Sequence, residues 1–151
     1  MSSSRRAGGG GGGGQALLHA HHDVVQALDR ELREAHGVTF AEYDVLLRLG
    51  RAPERALRMS DLAERVLLSP SGVTRLVDRL TARGLLERKT DPGDARVALA
   101  SLTTEGSRLL RRAARTHLRG IREHFTSRLT ETHLRGVAAG LEQVAGPHAP
   151  H

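Results

Sequence analysis

Residues 69–84 carry a start and a stop signal for one helix, and few folds accommodate what flanks it. Ser69-Pro70 joins a side-chain cap to a proline at the first helical position, where its missing N–H has no intrahelical partner to lose. Gly84 supplies the stop. Upstream, Ser60 and Asp61 open a shorter helix with Leu62, Ala63 and Val66 on its buried face, and Leu67-Leu68 make the turn between the two. Downstream, 85–89 and 97–102 read as strands around 90–96, with Pro92 and Gly93 suited to positions i+1 and i+2 of a type II turn. The frame is helix, turn, helix, hairpin.

Longer helical patterns surround this frame. Leu17, Val24, Leu28, Leu32 and Ala35 recur at helical spacing until Gly37. Thr39-Phe40-Ala41-Glu42 is a capping box opening a helix to about Leu49, closed by Gly50 and Pro53, and a short strand follows at 57–59. Leu110, Ala114, Leu118, Ile121, Phe125 and Leu129 mark a long helix over about 104–128. Leu134, Val137, Leu141 and Val144 mark another, capped near Thr130 and ended by Pro147. The expected fold is mainly α with a small β-hairpin wing, a winged helix-turn-helix plus a helical dimerisation region. Residues 1–14, with seven consecutive glycines, read as a disordered tail. An arm touching DNA through Arg5 and Arg6 is the alternative. The remainder, 15–146, reads as one domain, with a reader module about 39–102 and dimerisation helices about 15–36 and 104–146. So small a reader cannot cover every flanking apolar stripe, so a second copy of the chain is the natural cover and a homodimer is expected.

Composition narrows the chemistry. The 151 residues include no cysteine, which excludes disulfides, thiolate metal sites and thiol-based redox sensing. Tyr43, Phe40 and Phe125 are the only aromatics among Phe, Tyr and Trp, too few for base-stacking recognition of single strands. No stretch approaches the length of a membrane span and no signal peptide is evident, so a cytoplasmic protein is expected. The formal net charge is +6, unevenly spread. Residues 15–54 hold four Arg and seven acids, whereas 108–128 hold seven Arg and only Glu123.

The helix at 70–83 places Val73, Leu76, Val77 and Leu80 on one face at 100° per residue. Ser71, Arg75, Asp78 and Ala82 lie opposite, flanked by Thr74 and Arg79. An outward face that is polar and free of bulky apolar groups, about 21 Å long, fits the major groove of duplex DNA. Ser71, Thr74 and Arg75 are the expected base-edge contacts, since arginine bonds guanine in bidentate fashion. The first turn, Ser69, Pro70, Ser71 and Gly72, offers backbone amides and a helix dipole to a phosphate. Arg79 is expected to hold the DNA backbone, and Asp78 to orient Arg75. On the hairpin, Arg96 suits a narrow minor groove, with Asp94 two residues away to fix its rotamer.

The stretch Leu80-x-x-Arg83-Gly84-Leu85-Leu86-Glu87-Arg88 resembles the recognition-helix exit and first wing strand of the MarR-type transcriptional regulators. Asp91 to Arg96, Val97-x-Leu99 and Leu102-Thr103-x-Glu105-Gly106 resemble their wing and the start of the next helix, and the likeness covers about 35–145. It implies a homodimer formed by the N-terminal and two C-terminal helices, minor-groove insertion of Arg96, and repression relieved by a small-molecule effector. Gly93-Asp94 stands where many members carry an extra Arg-Asp, which implies fewer polar contacts from the wing.

Other readings are open to test. His19, His21 and His22 cluster on the first helix and His117 and His124 share a face of the long one, where His22 and Asp23 of a dimer partner offer the further ligands a metal site needs, but the expectation is that no metal or cofactor is bound. Solvated or interface histidines, or a pH-responsive one, are the alternatives. The arginines of 108–128 read either as a solvated face or as added attraction for an anion. Neither a phosphate loop nor a nucleophile elbow is present, so no enzyme is expected. The rival function is a winged-helix module for protein–protein contact, which would present an apolar outward face.

Overall fold

The computed structural model describes residues 10–66 and 70–145. Among these, six α-helices and three strands run in the order α1 (Gly10–His36), α2 (Phe40–Arg51), β1 (Ala56–Arg58), α3 (Met59–Arg65), α4 (Pro70–Ala82), β2 (Leu86–Asp91), β3 (Asp94–Leu102), α5 (Thr104–His124) and α6 (Glu131–Ala145). The expected Ser69 cap and Leu67-Leu68 turn lie outside the described residues.

The chain divides into two compact units. One spans Leu28–His117 and holds α2 to α4, the sheet and the adjoining parts of α1 and α5. Leu32 of α1 and Leu109 and Ala113 of α5 join the same buried core as Leu46, Leu62 and Val77. The other unit comprises α1 through Ala27, α5 from Leu118 and α6. In it, Thr130 Oγ1 caps α6 by accepting from the His133 N–H at 3.2 Å, as the sequence suggests.

Local sequence accounts for most of the first unit. The capping box forms in full: Thr39 Oγ1 accepts from the Glu42 N–H at 3.0 Å, and Glu42 Oε2 accepts from the Thr39 N–H at 2.9 Å. Helix α4 buries Val73, Leu76, Val77 and Leu80, the predicted face. It ends at Gly84, whose φ of +74° suits a residue without a Cβ, while the Leu85 N–H reaches back to the Leu80 carbonyl at 3.0 Å. The sheet is antiparallel in the order β1-β3-β2, with Leu86 opposite Leu102 and Leu57 opposite Ala100.

Four local expectations are corrected. Gly10–Gly14, expected in the tail, are helical, and residues 11–14 are exposed. Once α1 is nucleated by its packed part, each further residue adds one backbone hydrogen bond, which offsets glycine's poor propensity. Gly50 does not stop α2, which continues to Arg51. A Cβ there would stand 2.5 Å from Leu110 Cδ2, so this glycine serves close packing. Helix α3 starts two residues early, with Arg58 rather than Ser60 at its N-cap and no side-chain cap, because Arg58 leaves β1 with extended dihedrals. Gly93 does not have positive φ, which excludes a type II turn. Asp91 Oδ1 instead accepts from the Gly93 N–H at 2.7 Å, an aspartate-held turn that leaves φ negative.

Candidate nucleic-acid interface

Because α4 buries every third or fourth residue, its remaining positions form one polar surface. Ser71, Thr74, Arg75, Asp78 and Arg79 are all exposed, and Gly72 is half-buried. Pro70 is the first residue of α4. Ser69, also expected here, falls outside the described residues. Arg75 has no ion pair or hydrogen bond among the described residues.

Two α4 side chains are engaged differently from the expectation. Asp78 does not orient Arg75. Its Oδ1 accepts from Arg88 Nη2 on β2 at 2.8 Å. Position 88 reaches it because Gly84 reverses the chain and strand alternation turns that side chain towards α4. Arg79 donates from Nε to Glu42 Oε1 at 3.3 Å. Glu42 is only 6% exposed and its other oxygen already closes the α2 cap, so this carboxylate joins α2 to α4. The Arg79 side chain keeps 56% of its surface, which leaves its remaining N–H groups outward. Arg83 donates from Nη1 to the Gly37 carbonyl at 2.8 Å and secures the far end of α4 to the α1–α2 connection.

The hairpin is held near its tip. Arg58 of β1 pairs with Asp91 at 3.0 Å, and Asp91 also organises the turn. Asp94 Oδ1 accepts from the Arg96 backbone N–H at 3.0 Å and from Arg96 Nε at 3.1 Å, while Oδ2 lies 3.3 Å from Nη2. Asp94 thus sets the Arg96 rotamer, as its spacing suggests. The Arg96 hydrogen bonds hold the Asp94 carboxyl below its ordinary pKa, its side chain contributing more than its backbone. The Arg96 side chain nevertheless stays 90% exposed. A cation oriented by one carboxylate and open to solvent is suited to enter a negatively charged groove.

Sequence reasoning missed Glu42 as a site-building residue, and Arg58, Arg83, Arg88 and Asp91 as well. Glu42 was visible only as a cap, and the others pair across 10 to 46 positions, where no periodicity reports a neighbour.

The same unit contains a half-buried histidine whose ring packs on aromatic side chains. His117 of α5 packs on Tyr43 and Phe40 of α2, with ring centroids 4.9 and 6.0 Å away. Its Nδ1 is buried without a hydrogen-bond partner in the described structure. Burial pushes its pKa below the ordinary imidazole value, partly opposed by the Asp44 carboxylate. Next to it, Thr116 Oγ1 meets His36 Nε2 at 2.8 Å.

Comparison with known proteins agrees with this geometry. The MarR family model matches residues 36–97, the stretch from the end of α1 into the wing. The transcriptional regulator PecS of Dickeya dadantii is 30% identical over 122 residues, covering 78% of this chain and 72% of PecS. The transcriptional repressor MdtR of Bacillus subtilis is 41% identical over 76 residues, 50% of this chain and 48% of MdtR, so that match spans about half the length of its relative. Among solved structures, Sco3205 of Streptomyces coelicolor, a MarR family regulator in complex with DNA, superposes with a TM-score of 0.85 at 28% identity, covering 95% of this chain and 90% of that one. From the site, the fold and these matches together, the chain belongs to the MarR family of transcriptional regulators.

Proposed function

We propose that this chain binds duplex DNA in a sequence-specific manner as a homodimer and represses transcription by occluding a promoter. The observation that carries the reading is the union of α4 and the wing through Asp78–Arg88, which joins the element bearing exposed Arg75 to the one bearing exposed, Asp94-oriented Arg96. Ser71, Thr74 and Arg75 read base edges, the first turn from Ser69 to Gly72 receives a phosphate, and Arg79 offers its spare N–H groups to the backbone. Arg96 enters the minor groove. The DNA bound by Sco3205 and the repressor role of MdtR support the same assignment.

Exposed apolar surface supports the dimer. In the unit formed by the chain ends, Leu17, Leu18, Leu118 and Val144 are exposed. An apolar groove of ≈ 620 Å³ there is lined by Leu17 and Val24 of α1, Phe125, and Leu141 and Val144 of α6. A second copy buries such a surface, and two-fold symmetry sets half-sites about one helical turn, roughly 34 Å, apart. An effector that disfavours the DNA-competent spacing of the two readers releases the operator. No described helix is long and apolar enough to cross a membrane.

Fluorescence anisotropy on the DNA upstream of the protein's own gene tests the reading, with Arg75→Ala and Arg96→Ala beside the wild type. Loss of a bidentate base contact costs about 1–3 kcal/mol, or roughly 5- to 150-fold in affinity, for Arg75→Ala. Wild-type binding no tighter than to random duplex refutes sequence-specific recognition of that region, and a monomer at micromolar concentration by light scattering refutes the dimer.

A further inference from the structure

The reader surface uses none of the arginines of α5. That helix turns Gly106, Ser107, Leu109, Ala113 and Thr116 into the protein, so helical geometry puts Arg108, Arg111, Arg112 and Arg115 on the opposite, exposed side. Arg108 pairs with Glu105. Among the described residues, Arg111, Arg112 and Arg115 have no ion pair or hydrogen bond. Arg111 and Arg115 are four apart and Arg112 and Arg115 three apart, spacings at which like charges on a helix repel. Helix formation gains nothing from this arrangement. The helix is held by its other face, through Leu109 and Ala113 in the core and through Arg55 Nη1, which donates to Ser107 Oγ at 2.7 Å.

We propose that the outward face of α5, through Arg111, Arg112 and Arg115, is a second duplex-DNA surface that binds phosphates without regard to sequence. The proposal rests on the reading that this protein binds duplex DNA, and it assigns the sequence-independent part of that binding to a helix other than α4. Charge complementarity chooses the occupant. The three guanidiniums lie within about 6 Å of helix rise, and a DNA strand carries a phosphate every 3.4 Å or so along its axis. Such a cluster therefore faces successive phosphates of one strand. Each phosphate neutralised releases counterions, so this surface contributes to affinity in a strongly salt-dependent way.

The test measures binding of the full chain to a random-sequence duplex between 50 and 200 mM salt. The proteins are the wild type, the triple variant Arg111→Gln, Arg112→Gln, Arg115→Gln, the corresponding triple lysine variant, and the reader variant Arg75→Ala, Arg96→Ala. Three phosphate contacts predict that the wild type loses about 40-fold more affinity than the glutamine variant across this range. The lysine variant retains the wild-type slope, since the effect is one of charge, and the reader variant keeps the α5-dependent part. The glutamine variant melts no lower than wild type, because it relieves repulsion. Parallel salt dependences for wild type and glutamine variant overturn the proposal. So does a change in oligomeric state without a change in salt slope, which would assign these arginines to a partner copy. Salt-dependent, α5-dependent binding to random duplex with no operator preference upholds this surface while overturning sequence-specific reading by α4. Absence of any duplex binding by the wild type overturns both.

Discussion

Gly106 sits in the first turn of α5, and replacing it with alanine should destabilise the protein despite alanine's better helix propensity. A Cβ at this position would stand 2.1 Å from the Leu85 carbonyl oxygen and 2.8 Å from Leu102 Cδ1. The Leu102 methyl can yield, but the carbonyl cannot. Leu85 O accepts the Thr103 N–H at 3.1 Å and lies 3.0 Å from Thr103 Oγ1, whose own oxygen caps α5 by accepting from the Gly106 N–H at 3.0 Å. Moving α5 out by about 1 Å therefore strains the turn that joins α4 to the wing. Overpacking costs about 1–3 kcal/mol and a weakened hydrogen bond to a buried carbonyl about 1 kcal/mol. Against this stands a propensity gain of up to about 1 kcal/mol. The net expectation is a loss of about 2 kcal/mol, a fall in melting temperature of roughly 4–8 °C for a chain of this size. Thermal unfolding followed by circular dichroism measures it, with Gly136→Ala as the contrast. Nothing lies within 4 Å of a Cβ at Gly136, an exposed α6 position, so that change should stabilise by up to about 1 kcal/mol. A Gly106→Ala protein as stable as wild type would refute the claim that close approach to Leu85 governs this position.

Two further outcomes follow from the buried polar groups. His117 has a folded-state pKa below the unfolded value near 6.5, so the folded state resists protonation more than the unfolded chain. Its contribution to stability is present above that value and is lost as pH falls through the depressed folded pKa. Urea unfolding midpoints between pH 8 and 5 should fall more steeply for wild type than for His117→Gln, and parallel curves would remove the histidine from the explanation. Arg79→Ala should cost about 1 kcal/mol, because it takes the partner from the buried Glu42 carboxylate. In a double-mutant cycle with Glu42→Gln the two changes should couple by more than about 0.5 kcal/mol, and simple additivity would show that the pair does not tie α2 to α4.

Sequence alone made the helices legible wherever the decisive interactions lie within one turn. The Thr39–Glu42 box, the Gly84 exit and the 3.6-residue burial rhythm of Val73, Leu76, Val77 and Leu80 are local, and Asp94 finds Arg96 because only one residue separates them. Where a residue has both a local and a distant use, the sequence supports only the local guess. Gly50 resembles a terminator until Leu110, sixty positions away, is seen to need the space. Glu42 resembles a cap until Arg79 arrives from α4, and Asp78 is assigned to its helical neighbour Arg75 until the Gly84 turn brings Arg88 closer.

Secondary structure, the outward polarity of α4 and the family resemblance were thus set by residue order, because helix periodicity and capping are satisfied within a few bonds. The partners of Asp78 and Arg79, the packing of His117 of α5 against α2, and the need for glycine at positions 50 and 106 were decided by tertiary packing. Those contacts depend on which distant backbones approach within a few ångströms, and no local pattern encodes that distance.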